Sequence, residues 1–156
     1  MSDHRTGQRR AYLQERQGRS RISGVLGFRL HYDEQGRAVM DLPYDPVITN
    51  GVDAVHGGII GALIDAAGWY AAAQHFDTWV GTVEYKVHLL EGVTGSDLTA
   101  VARVVRHGKR LASTEVDVTM SNGRKVAVGS TTCVVTSRAY DGWPPAPGPS
   151  GTAGEG

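Results

Sequence analysis

A single cysteine, Cys133, leaves no partner for an internal disulfide. It sits in the apolar run Cys133-Val134-Val135 and reads as a small packing residue rather than a reactive thiol. Net charge is missing too: sixteen basic and sixteen acidic residues cancel, so no whole-protein field gathers nucleic acid or an anionic membrane. Neither is expected as a partner, and binding must come from a local site. No leader with a basic start, an apolar middle and a small-residue cleavage site opens the sequence, so the expected location is the cytoplasm. The uncharged stretches on either side of Asp65 fall far short of the ~20 residues needed to cross hydrocarbon. A Gly-x-Ser-x-Gly elbow is lacking, as is any histidine or cysteine group at metal-ligand spacing, so neither a serine hydrolase nor a metal centre is expected. With 156 residues the chain suits one domain and leaves no room for a second catalytic one.

What is present divides into three parts. Residues 1–23 form a polar segment with six arginines in its first 21 positions and few apolar anchors (Tyr12, Leu13, Ile22). A loosely packed helix is expected over 6–23. Residues 24–137 carry the periodic pattern. Two β-like runs, 27–32 and 38–42, flank the turn formers Asp33-Glu34-Gln35-Gly36. A proline-free helical run follows over 59–75, apolar nearly all round and rich in glycine and alanine, which lets another backbone come close. The period then changes to two, with Val83, Tyr85, Val87 and Leu89 on one face and Thr82, Glu84, Lys86 and His88 on the other. Three more such runs follow, joined by short links, one containing Asn122-Gly123, a strong hairpin signal. Short links make antiparallel neighbours. The order β-β-α-β-β-β-β calls for an α+β domain whose curved antiparallel sheet wraps one long central helix. In residues 141–156, nine of sixteen are glycine or proline, and disorder is expected across the 138–156 tail.

Two features of the helical run point to chemistry. Gly57 and Gly58 follow His56 directly at the helix start, where backbone N–H groups lack internal partners. They suit either a tight loop-to-helix junction or a site for a developing oxyanion. Asp65 lies mid-helix with Gly61, Ala62, Gly68 and Trp69 as its helical neighbours, and none of these is a cation. A carboxylate buried without compensation is costly and usually finds a task. Its alternatives are structural partners such as Lys86, His88 or a backbone amide. Eight residues separate Gly57 from Asp65, roughly 12 Å along a helix axis. They act on one carbonyl only if Asp65 comes from a second copy, with two helices antiparallel across a two-fold axis. A homodimer is therefore expected.

Asn50-Gly51, then His56-Gly57-Gly58 with Ala62-Leu63-Ile64-Asp65-Ala66-Ala67, then Gly81-Thr82-Val83-Glu84, resemble the hotdog thioesterases of the PaaI type. The similarity spans about residues 24–137, and its most specific part is the His-Gly-Gly turn with an aspartate seven residues after the second glycine. The resemblance implies a hotdog fold, dimers that pair into homotetramers, hydrolysis of acyl-coenzyme A at the subunit interface, and no cofactor. It further implies Asp65 as nucleophile or general base and the Gly57 amide as oxyanion donor. By the same resemblance Asn50 and His56 are expected to position water and thioester, Thr82 to help orient the water, and Gly58 to lie on the substrate side. On the residues alone, Asn50 is also an ordinary turn former, His56 a helix cap and Thr82 a strand residue. Arg106, Lys109 and Arg110, at a hairpin tip, suit the coenzyme's phosphates or a solvated charged turn. Trp69, Tyr70, Phe76 and Trp79 line an acyl pocket or fill the core. The rival readings are a hotdog enoyl-CoA hydratase or dehydratase, and a non-catalytic acyl-CoA-binding regulator. The acyl class, the nucleophile-or-base choice and the tetramer arrangement stay open at this level.

Overall fold

The computed structural model describes residues 2–143, with side chains from residue 4. Helices α1 (Ser2–Gly18) and α2 (Arg21–Leu26) precede the hairpin β1 (Arg29–Tyr32) and β2 (Ala38–Leu42). A 3-10 turn (Pro46–Ile48) leads to α3 (Gly57–Ala73), and then come β3 (Thr78–Leu89), β4 (Leu98–His107), β5 (Leu111–Met120) and β6 (Lys125–Ala139). All strand pairs are antiparallel, in the order β1-β2-β4-β5-β6-β3. α3 packs against β2, β3, β4, β5 and β6, so the sheet folds round it as the element order implied.

α3 starts two residues before its expected position because the His56 ring caps it. The first strand starts later than expected, since Gly27 takes the left-handed conformation (φ 72°) that ends α2. In the Asn122-Gly123 turn only the glycine has positive φ (84°), so the connection is longer than a two-residue hairpin. The main core lies between α3 and the sheet, with Leu63 and Ile64 against Met40, Leu42, Leu98 and Val118. Each large side chain buried there contributes about 1.5–3 kcal/mol. Helix and sheet approach closely at two glycines. A Cβ on Gly68 would sit 2.5 Å from the Thr131 methyl, and one on Gly129 would sit 2.6 Å from both Ile64 Cγ2 and the Lys86 carbonyl oxygen.

A second core corrects the reading of the N-terminal segment as one loosely packed helix. The segment breaks between α1 and α2, and Leu13 is fully buried with Ala72, Phe76, Val80, Ala112, Cys133 and Tyr140. Polar groups fasten it further. Arg9 donates to the Gln74 carbonyl (2.6 Å) and pairs with Asp77, Arg10 donates to Gln74 Oε1 (2.6 Å), and Gln17 donates to the Phe28 carbonyl (2.7 Å). Burial raises the Asp77 pKa, but hydrogen bonds from Arg9, Trp143 and Arg5 outweigh it and hold the carboxyl below its ordinary range. The C-terminal boundary also moves. β6 runs through Ala139, Tyr140 is buried, and Trp143 Nε1 donates to Asp77 at 3.2 Å. The rest of the tail expectation, residues 144–156, lies outside the described residues.

The sheet leaves β3 as a twelve-residue edge strand. Val83, Tyr85 and Leu89 on it, and Leu90 beyond it, are half exposed or more. Beside this edge one stripe of α3 stays open or partly open: Gly58, Ala62, Asp65, Ala66 and Trp69. Their spacing marks one face of a helix. No helix among the described residues is long and apolar enough to cross a membrane.

Candidate active site

At the start of α3 four amides need partners. The His56 carbonyl accepts from Ile59 (2.8 Å) and Ile60 (3.3 Å), and the His56 ring accepts from Gly58 N–H at Nδ1 (3.0 Å). Gly57 N–H has no partner among the described residues. It is an open donor at the positive end of a helix dipole. Gly58, expected on the substrate side, has given its amide to the cap. A cavity of about 330 Å³ opens here, lined by Asn50, Gly57, Ile60, Leu89 and Glu91 among others. Asn50 Oδ1 accepts from the Val52 and Ala54 amides (3.0 and 3.2 Å), which fixes the loop and leaves the side-chain NH₂ free to donate. Asn50 and Gly57 thus line one cavity.

Asp65 stands two helical turns further on. Its Oδ1 is buried and has no hydrogen-bond partner, and none of the ion pairs uses Lys86 or His88 to neutralise it: Lys86 pairs with Glu84 at 3.2 Å. An unmade hydrogen bond to a buried polar group costs about 1–3 kcal/mol, more when the group is charged. Thr82 touches Cys133, and the charge of Asp65 is felt at the same sulfur. The Thr82 hydroxyl lies 3.8 Å from Cys133 Sγ; burial raises the thiol's pKa, the Thr82 and Thr131 hydroxyls lower it, and the Asp65 charge raises it again. Cys133 is fully buried, as its apolar run suggested.

The basic tip resolves differently. A cavity of about 320 Å³ at the C-terminal end of α3 gathers Arg106 with Arg10, Arg37 and Arg103, whereas Lys109 and Arg110 sit outside it on the exposed turn. Sequence reasoning missed its other feature, the rings of His75 and His107 stacked 4.4 Å apart. Burial, with His107, Arg10 and Arg9 nearby, pushes His75 down to about 4, so that ring is neutral at pH 7. Among the described residues no group of three or more His, Cys, Asp or Glu side chains is placed to hold a metal ion. Trp69, Tyr70 and Trp79 meet at 4.7–4.9 Å between ring centroids and wall a further cavity, while Phe76 belongs to the second core.

Comparison with known proteins bears on the family and the fold. Residues 53–127 match the model of the Thioesterase superfamily. A relative from Saccharolobus solfataricus, named as an esterase, is 33% identical over 100 residues, which cover 62% of this chain and 71% of the relative. Among solved structures, the E. coli PaaI protein from the phenylacetic acid degradation operon superposes with a TM-score of 0.77, covering 87% of this chain and 96% of its own at 21% identity. A Bacillus halodurans protein solved with CoA superposes with a TM-score of 0.72, covering 86% of this chain and 91% of its own at 26% identity.

Proposed function

The chain belongs to the thioesterase superfamily and is a hotdog-fold thioester hydrolase, and from that premise we propose that it cleaves acyl-coenzyme A where two copies meet. Asp65 of one copy and the Gly57 amide of the other act on the same thioester. The observation that carries this reading is a pair of unmet groups on one helix: a buried carboxylate oxygen without a donor, and an N–H without an acceptor. Eight residues, roughly 12 Å, part them within one copy. Two α3 helices laid antiparallel bring each carboxylate to the other's open amide. The unpaired β3 edge and the apolar side chains on it favour the same two-fold pairing, edge to edge.

In this site the Gly57 N–H holds the carbonyl oxygen as it becomes negative. Asp65 either takes a proton from the attacking water or attacks the carbonyl itself, forming a mixed anhydride that water opens. In both routes the C–S bond breaks and the coenzyme leaves as thiolate, a far better leaving group than an alkoxide, so one carboxylate and one donor suffice. Single turnover in ¹⁸O-labelled water separates the general-base route from an anhydride that water opens at the Asp65 carboxyl carbon, since only that opening leaves unlabelled Asp65 oxygen in the first product. Thr82 and the Asn50 NH₂ orient the water and thioester, His56 orders the amide turn, and Arg106 with its neighbours meets the coenzyme's phosphates. Of the two His56 ring nitrogens, Nδ1 is engaged as the cap, and the product of the reaction separates hydrolysis from the hydratase reading.

The test is thiol release from a panel of aryl- and alkyl-CoA thioesters, followed alongside enoyl absorbance and across a dilution series. Free thiol, with specific activity falling as dimers dissociate, is the expected result. A change in enoyl absorbance with the thioester intact, or full activity as a monomer, would overturn the proposal.

A further inference from the structure

A cavity of about 290 Å³ lies beyond Asp65 toward the C-terminal end of α3, lined by Trp69, Tyr70, Trp79, Arg16, Arg19 and Ser20. It sits at the lower end of the range for small-molecule pockets, about 300–1,000 Å³. The helix carries it to the proposed chemistry. Trp69 is one helical turn after Asp65 on the same open stripe of α3, a rise of roughly 6 Å. An acyl group whose carbonyl is at Asp65 therefore has this recess ahead of it. The flat walls are fixed: Trp69 Nε1 donates to the Val80 carbonyl at 2.7 Å, and its ring leans on Tyr70 and Trp79.

The other half of the lining comes from the N-terminal helices and is rich in donors. Arg16 is half-buried with its guanidinium 5.8 Å from the Trp79 ring centroid. Its contacts to Tyr12 Oη (3.5 Å) and Asp141 (3.4 Å) are long and leave most of its five N–H donors unused. Arg19 is more exposed and pairs with Glu15. Ser20 stands at the N-cap of α2 but makes no side-chain cap bond, so its hydroxyl is free. Burial pushes the Tyr70 phenol up to about 12, against a smaller opposing effect from Arg16, so it remains a donor at neutral pH. No carboxylate lines the cavity. Aromatic walls closed by guanidinium and hydroxyl donors, with no carboxylate in the lining and the Arg16 ion pair long and exposed on its Asp141 side, fit a flat apolar stem ending in an anion.

We propose, resting on the thioesterase reading above, that this cavity receives the far end of the acyl group and selects a free carboxylate there, with Arg16 as its specificity-determining residue. The substrate class is an acyl thioester with a planar stem and a second, ionised carboxyl group. Arg19, Ser20 and Tyr70 complete the cradle.

The experiment compares kcat/KM for phenylacetyl-CoA and 4-carboxyphenylacetyl-CoA in the wild type, Arg16→Gln and Tyr70→Phe, all as full-length chains. A wild-type preference of about tenfold or more for the carboxylated substrate is expected, the scale of one charge-assisted hydrogen bond. Arg16→Gln brings the ratio close to one, mainly by raising KM for the carboxylated substrate, and Tyr70→Phe lowers the ratio by less. The wild-type ratio needs no variant, so a misfolded Arg16→Gln does not shield the proposal. Equal wild-type turnover of both substrates would overturn it. So would an equal rise in KM for both in Arg16→Gln, which would place a phosphate of the coenzyme against Arg16. Absence of thiol release from every thioester is a different failure, that of the hydrolase reading itself.

Discussion

Asp65 and Asp77 lie twelve residues apart, one within α3 and one just past its end, and their surroundings are opposite. Asp77 accepts from Arg5 Nε (3.1 Å), from Arg9 and from Trp143 Nε1 (3.2 Å), so it ties α1, the helix end and the C-terminal segment together. Asp65 has an oxygen shut away from solvent with nothing donating to it. The difference separates two uses of a charge. A carboxylate that takes three donors on one oxygen stabilises the fold and is committed to it. A bare one weakens the fold, and is retained where a ligand or second chain supplies the missing donor.

That contrast breaks if the two aspartates respond alike. The largest effect is expected for Asp65→Asn, which keeps the shape and removes the charge. Thiol release should fall about a hundredfold or more, the scale of a lost general base, with thermal stability unchanged or raised. Next comes Gly57→Pro. Proline is tolerated at the first helical position, and the extended His56 backbone (φ −62°, ψ 131°) suits a following proline. The Leu89 methyl, 2.7 Å from where a Cβ would sit, is the end of a flexible side chain and has room to turn. The change deletes the open N–H and should lower kcat about a hundredfold, while circular dichroism retains the helix. Asp77→Asn should do the reverse: a loss of about 1–2 kcal/mol in denaturant unfolding, modest because the carboxyl is one-third exposed, with thiol release of the folded protein near wild type.

The smallest effect concerns pH. The His75 pKa is depressed in the fold, from an ordinary 6.5 to about 4. Unfolded chain therefore binds a proton that folded chain refuses, and stability falls as pH drops from about 6.5 to about 4. The loss should reach no more than about 1–2 kcal/mol, since the ring is partly solvated. His75→Gln should flatten this window when unfolding is followed from pH 7 to pH 4. Asp77 adds a separate step lower down. Its folded pKa lies below the ordinary 3.8, so its contribution is present above that value and lost as pH falls through the folded pKa.

The sequence made one of these aspartates conspicuous and hid the other. Asp65 stands out because its helical neighbours, Gly61, Ala62, Gly68 and Trp69, are near in sequence, and the glycines before it mark the helix start. The order of elements and the central helix were legible for the same reason, since period and turn chemistry are local. Asp77 is bound by Arg9 from 68 residues away and His75 stacks on His107, pairings that only the folded sheet brings about. Arg16 over Trp79 belongs to that class too, and polarity alone suggested a segment that packs loosely. Alternation in β3 was plain, but its place at the sheet edge follows from the sheet order, which periodicity does not encode. Likewise the Gly57 and Gly58 amides look equivalent in sequence, and only the His56 ring decides which stays open.

The central claim, that a carboxylate from one copy and an amide from another form each site, is tested most directly by subunit exchange. Asp65→Asn and Gly57→Pro, each inactive alone, are mixed at equal concentration, dissociated and allowed to reassociate. Half of the resulting dimers are mixed, and each of these holds one site with both wild-type groups, so thiol release should recover to about a quarter of the wild-type rate. A mixture that stays as inactive as its components, with exchange verified by mass, would contradict a shared site and return both groups to a single chain.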